Sequence, residues 1–367
     1  MAKQAGGAQA AALGAQAPPL GAMERPAGLF VGLTTLDTIY RVRHPPGPDE
    51  KIVADDLVVA AGGPATGAAV AFAHLGGRAT LVSAVGSGPL AAAARADLAS
   101  LGIRHHDLRP GEPVLPISAI LVNAAGERAV VSAHGALPVA APVTADAART
   151  LLAGADVVLV DGHQPDAAVS ILAARRLLPT MSTATPEPAA PRASTRPPGT
   201  APPAETATTA ETATPAGTAT SAGWPPVVFD GGSWKPGTER LLPHVDVALC
   251  GSAFRPPGVG ADDPDGVLGY LLAHGCSFAA VTRGPGPIRW AHGQVRGEVR
   301  PPAVQAVDTL GAGDVFHGAF AWSIAGLPRL TTDALVEALA AASRVAARSV
   351  TSFGTRSWLT RGAARAE

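Results

Sequence analysis

The stretch Ala306-Val-Asp-Thr-Leu-Gly-Ala-Gly-Asp314, continued by Val315-Phe-His-Gly-Ala-Phe320, decides how this chain is read. An extended approach meets a tight Gly311-Ala312-Gly313 turn, and the pattern predicts a helix beginning near Asp314. On that helix Phe316 and Phe320 fall on one stripe suited to burial. The first N–H groups of a helix have no partner within it and carry the positive end of the dipole, so backbone alone can make an anion site. Glycines suit such a site because a phosphate must come close to the main chain, and because positive φ is available to them. Asp314 stands beside it, placed to accept a proton from an attacking hydroxyl, and next to a helix dipole its carboxylate is expected to stay ionised at neutral pH. Oxyanion stabilisation plus a base is the minimum equipment for phosphoryl transfer to an alcohol. The same residues also suit an ordinary capped helix, since Asp is favoured at N-caps and Gly in turns.

Outward from this stretch, short β-branched runs alternate with Ala/Leu-rich helical patterns. Strands are predicted at 29–33, 79–85, 157–160, 227–229, 245–249 and 279–282, and helices at 66–76, 89–101, 166–178, 264–274, 314–325 and 331–347. Such repetition implies an α/β fold, a mainly parallel sheet with helices on both faces and ligands outside the carboxyl ends of its strands. Residues 38–60 and 117–132 break the rhythm and read as hairpin-like strand pairs, the second turning at Asn123–Glu127; they suit a small antiparallel lid or a subunit contact. Residues 1–26 form a small-residue tail. Residues 181–225 hold 12 Ala, 11 Thr and 9 Pro and no Val, Leu, Ile, Phe or Tyr, which reads as a disordered insertion because too little apolar surface offsets the ordering entropy. One domain is expected over 27–180 and 226–360.

Composition narrows the chemistry. With 28 basic against 29 acidic residues there is no electrostatic footprint for nucleic acid or an anionic membrane. The only lysines are Lys3, Lys51 and Lys235, none in a GxxxxGK[ST] loop, which excludes a Walker-type site. Cys250 and Cys276 make no CxxC pair and the histidines no HExxH, so His/Cys metal catalysis is not expected. No run of about 18 apolar residues appears, and residues 1–20 lack the apolar core of a secretion signal, so the cytoplasm is the expected compartment. One competing motif stands out: Val85-Gly86-Ser-Gly88-Pro89-Leu-Ala91, with Asp107 further on, superficially satisfies a dinucleotide fingerprint and keeps an NAD-linked oxidoreductase as the alternative.

DTLGAGDVFHGAF resembles the C-terminal signature of the PfkB (ribokinase-like) family of carbohydrate kinases. The N-terminal half is similar too: Gly32-Leu-Thr-Thr-Leu-Asp37 resembles the family's first strand and its sugar-binding Asp, and Gly62-Gly-Pro-Ala-Thr-Gly-Ala-Ala-Val-Ala71 resembles the glycine-rich substrate loop and helix. The resemblance covers about 28–180 and 226–358 and is nearest in pattern to ketohexokinase-like and sulfofructose-kinase-like members. It implies a ribokinase-like fold and ATP-dependent phosphorylation of a sugar hydroxyl, with Asp314 as general base and Gly311, Ala312 and Gly313 as anion hole. It implies that Asp37, Gly62, Gly63 and Gly67 hold the sugar. Thr282, Arg283, Gly284, Thr309, Ser343 and Gly354 would line ATP with Mg2+, and Asp308 would support a K+ ion where the family uses one. A homodimer through lid strands is also implied. Two departures stand out. Pro64 and Gly67 occupy positions where sugar-binding relatives commonly carry asparagines, and Gly251-Ser-Ala-Phe254 stands where many relatives have NxxE. Both leave the sugar's identity open and keep a catalytically inactive sugar-binding relative as a further alternative.

Overall fold

A computed structural model describes residues 25–133, 140–175 and 224–360. Most of the predicted tail, and all but the last two residues of the predicted 181–225 insertion, lie outside them. The main sheet has nine strands in the order β13-β12-β11-β10-β9-β8-β1-β4-β5. Its strands are β1 (Ala27–Val31), β4 (Arg78–Ser83), β5 (Arg104–Asp107), β8 (Val157–Val160), β9 (Val227–Gly231), β10 (Val247–Gly251), β11 (Phe278–Arg283), β12 (Gly286–His292) and β13 (Val295–Val299). Neighbours from β5 through to β11 pair in parallel, while β12 and β13 add an antiparallel hairpin at one edge. Each central strand feeds both faces: Phe30 packs into one core and Leu29 and Val31 into the other, as do Val157 and Leu159 against Val158 and Val160. That two-sided burial is why these strands are continuous apolar runs.

Helices α1 (Pro64–His74), α2 (Pro89–Ser100), α7 (Ala312–Ile324) and α8 (Thr332–Ser349) cover one face. Helices α3 (Ala145–Leu152), α4 (Pro165–Arg175), α5 (Thr238–Leu241) and α6 (Pro264–Ala273) cover the other. A short α9 (Ser357–Thr360) closes the described chain. Phe316 and Phe320 are buried on α7 as the spacing requires. The hairpin-like segments form a second, four-stranded sheet in the order β3-β2-β6-β7, from β2 (Thr35–Arg41), β3 (Asp56–Gly62), β6 (Ile117–Val122) and β7 (Arg128–Ser132). It is two antiparallel pairs joined by parallel β2–β6 pairing, and the second turns at Asn123–Glu127. Its inner face, Ile39, Ile120 and Val122 with Val58, packs on Phe353 and Leu310.

The strand order reverses between β1 and β8, and a crevice is expected there, outside the strand ends. At the chain's departure after α4, the Arg175 guanidinium lies 5.8 Å from the Trp224 ring centroid and 2.9 Å from Asp246, so exit and re-entry are adjacent.

Candidate active site

The crevice is a cleft bounded by Asp37, Gly62–Gly63, Asp314 and the 354–358 segment. Three parts of the chain meet there. The first is Asp37 on β2, buried, taking a 2.6 Å hydrogen bond from the Thr35 hydroxyl. Burial raises its pKa, opposed by the Thr35 and Ser118 hydroxyls and the Arg356 charge. The second is the turn from β3 into α1. Gly62 leaves no room for a side chain, since a Cβ would lie 1.8 Å from Asp37 Oδ2. Gly63 caps the helix at φ +96. The third is the start of α7, where Gly311 is the N-cap at φ +74 and Asp314 is the third helical residue.

Two helix N-termini thus point into one crevice, and they are finished differently. Asp161, at the end of β8, caps α1: its carboxylate accepts from Ala65 N at 3.0 Å and Leu33 N at 2.8 Å. Burial alone would raise its pKa, but His163 and the N–H donors outweigh it and hold it down at about 2. The start of α7 has no such carboxylate. Ala312 N makes a 3.3 Å bond to Thr309 O, while the N–H groups of Gly311, Gly313 and Asp314 have no acceptor among the described residues. The dipole of α1 is neutralised by the protein, and that of α7 is left for a ligand.

Asp314 corrects one expectation. The dipole alone suggested an ordinary ionised carboxylate; instead its pKa is raised well above the usual value. Burial is the main cause, and the charges of Asp230, Asp161 and Asp37 add to it, opposed by Arg128. Those carboxylates converge from the ends of β9 and β8 and from β2.

Gly67 also changes meaning. It sits in α1 directly against Asp314, and a Cβ there would be 2.6 Å from Asp314 Cβ. One turn on, a Cβ at Gly318 would be 2.2 Å from Ala68 O. The missing side chain is the space that lets α7 carry its aspartate up to α1. Behind the start of α7, His317 lies 2.7 Å from Gly313 O, 3.0 Å from Leu249 O and 3.2 Å from Asp230.

The residues expected around a nucleotide do not all converge. Thr309 and Gly354 adjoin the cleft: Thr309 accepts a 2.9 Å bond from Arg128 of the small sheet, and Gly354 lines the wall. Thr282 and Arg283 end β11; Thr282 bonds to Cys250 O at 3.4 Å, and Arg283 lines a separate depression with Ser252, Arg255 and Asp263. Gly284 is in the exposed turn that follows. Ser343 is buried in α8 with its hydroxyl donated to Leu339 O at 2.7 Å, so it offers no group to a ligand. Asp308 is buried, and its oxygens accept from Leu310 N and Gly354 N, each at 2.9 Å, bracing the two loops beside the start of α7. Among the described residues no three His, Cys, Asp or Glu side chains group to hold a metal. Arg128, Arg356 and Trp358 were not anticipated; no local motif marks them.

The dinucleotide fingerprint is spent internally. Asp107 accepts from Val85 N and Gly86 N at 3.1 and 2.8 Å, and Ser87 N donates to Glu112 O at 2.7 Å, so the N–H groups of residues 85–87 are already taken.

The doubly wound nine-stranded sheet, the small four-stranded sheet and the crevice outside the strand ends define an α/β class of protein with its ligand site at the switch point. Residues 29–186 and 203–361 match the pfkB family carbohydrate kinase model, and the chain belongs to that family. A putative ribokinase from Agrobacterium tumefaciens superposes with TM-score 0.67 at 26% identity, over 91% of this chain and 94% of that one. The Arabidopsis thaliana ribokinase complexed with ribose and ATP gives 0.63 at 17% identity, over 92% and 99%. A fructokinase with bound ATP from Xylella fastidiosa gives 0.60 at 17%, over 90% and 94%. The protein is a carbohydrate kinase with a ribokinase-like fold. Among the described residues no helix is long and apolar enough to cross a membrane.

Proposed function

We propose that this enzyme transfers the γ-phosphoryl group of MgATP to a hydroxyl of a ketohexose-like sugar, in the cytoplasm. The observation that carries the reading is the uncapped start of α7 with the Asp314 carboxyl beside it, across the cleft from Asp37. The sugar lies between Asp37, the 62–67 turn and the small sheet. Asp314 takes the proton of the attacking hydroxyl as its oxygen bonds to phosphorus and the bond to ADP breaks. The N–H groups of Gly311, Gly313 and Asp314 meet the charge on the transferring group. A carboxyl raised from its ordinary value is, once ionised, a stronger proton acceptor than a surface aspartate. The nucleotide reaches the anion hole past Thr309 and Gly354, with Thr282, Arg283 and Gly284 further along its path.

An ADP-release assay over a panel of sugars, in the wild type and Asp314→Asn, tests this. Turnover in the variant should fall by about two to four orders of magnitude with MgATP binding retained. Full activity in Asp314→Asn would refute the assigned base, and sugar binding without ADP release from any sugar would favour an inactive relative. Potassium is proposed as an accessory near Asp308; equal rates in potassium and sodium buffers would remove it. The outer face of the small sheet, where Leu57, Val59, Ile117 and Val131 are exposed, supports a homodimer. A monomeric mass by light scattering at micromolar concentration would discard that assignment.

A further inference from the structure

β3 is an edge strand of the small sheet, so its outward N–H and C=O groups have no neighbouring strand. At Ala61, the residue before the Gly62–Gly63 turn, both are nevertheless satisfied. Asp97 on α2 accepts from Ala61 N at 2.9 Å, and Arg356 Nη2 donates to Ala61 O at 2.5 Å. The two side chains pair with each other at 3.1 Å, and both are mostly buried. One ion pair therefore grips both polar groups of a single residue, where an unpaired buried group would be costly. Arg356 has two further connections. It lines the cleft with Asp37 and Asp314, and its charge opposes the burial-driven rise at Asp37. Its own segment touches the anion-hole loop: Gly354 N donates to Asp308, and a Cβ on Gly311 would lie 3.3 Å from the Thr355 methyl.

We infer that Arg356, held by Asp97, is a positioning residue for sugar binding: it locks the glycine turn and the base of the small sheet at a fixed distance from the phosphoryl-transfer loop. This rests on the kinase reading above. Asp37 pairs with Ala60 and Leu36 with Ala61, so loosening Ala61 loosens the aspartate that faces the sugar as well as the turn beneath it. The anion hole has its own brace in Asp308 and does not depend on this pair for its shape.

Steady-state kinetics on Arg356→Ala and Asp97→Asn, with the sugar that the wild type phosphorylates, test the assignment. KM for the sugar should rise by about 10- to 100-fold, as sub-ångström misplacement commonly produces, while KM for ATP should stay within about two-fold. The double variant should be little worse than either single one, because the two side chains act as a unit. Millimolar guanidinium should restore sugar affinity to Arg356→Ala, and equimolar urea should not. If sugar and ATP constants rise together, or if neither moves while the melting temperature falls, Arg356 is a fold brace and the inference is wrong. Should Arg356→Ala not fold, Asp97→Asn must show the same split or the inference fails. A wild type that releases ADP with no sugar would refute the kinase reading instead, a result distinct from both.

Discussion

Replacing Gly67 by alanine adds one methyl group at the closest approach between the two helices that build the site. Its Cβ would stand 2.6 Å from Asp314 Cβ and 2.8 Å from Asp314 Oδ2, whereas ordinary contact begins near 3.4 Å. The pair must open by roughly 0.8 Å, and α7 cannot slide along α1 to relieve it, since Gly318 is already seated on Ala68 O. Stability should change little: alanine gains about 1 kcal/mol of helix propensity over glycine, and overpacking costs about 1–3 kcal/mol. Turnover should suffer far more, because a general base displaced by a large fraction of an ångström commonly loses about 100-fold. ADP release and thermal unfolding on the same preparation separate the two effects. A Gly67→Ala enzyme with undiminished kcat would show that Asp314 is not held in register by this contact, or is not the base.

The acid limb of kcat/KM for the sugar should lie above the ordinary carboxylate range, because Asp314 must lose its proton to act and its pKa is raised; Arg128→Gln, which removes the one opposing charge named there, should move that limb further up, and a limb at the ordinary aspartate value would contradict the raised pKa. Asp161, depressed from 3.8 to about 2, contributes stability above its unfolded value that is lost as pH falls toward 2, roughly 2 kcal/mol in all. Asp161→Asn should therefore lose about that much in urea unfolding at neutral pH and show a flatter acid dependence; unchanged stability at pH 7 would refute the capping role.

The central parallel strands and the helices around them were legible because burial on both faces forces apolar runs and glycine or proline punctuates the turns. The β12–β13 hairpin was not: Ile288-Arg289-Trp290 and Val295-Arg296-Gly297-Glu298-Val299 do alternate, but each run is short and set among glycines and a proline that read as turn. Helix α3 escaped because it is only eight residues long, about two turns, too few for its buried face of Ala148 and Leu152 to stand out as a period. In the site, the glycine turn and the GAGD stretch stood out because each needs a local backbone shape, whereas Asp37, inside a regular strand, was marked only by the family resemblance. Arg356 and Arg128 were not, because an arginine looks the same in sequence whether it faces water or a cleft from far along the chain. At Gly67 the sequence shows a glycine where relatives commonly carry asparagine, and only its distance to Asp314 shows the space it leaves for that residue. The elevated pKa of Asp314 comes first from its burial and then from aspartates at positions 230, 161 and 37, which no window of sequence brings together.

The Arg175–Trp224 contact has a consequence for how the chain can be cut and rejoined. With departure and return pinned side by side, whatever spans 176–223 closes a loop whose ends the folded domain already holds together, and loop closure depends only weakly on length, by about 0.6 kcal/mol per doubling. Evolution, or an engineer, can lengthen, shorten or replace that span with little thermodynamic penalty to the catalytic body. A chain with 176–223 exchanged for a short Gly/Ser linker should keep its melting temperature within a few degrees and its turnover unchanged; a collapse of either would assign that span a part in the enzyme itself.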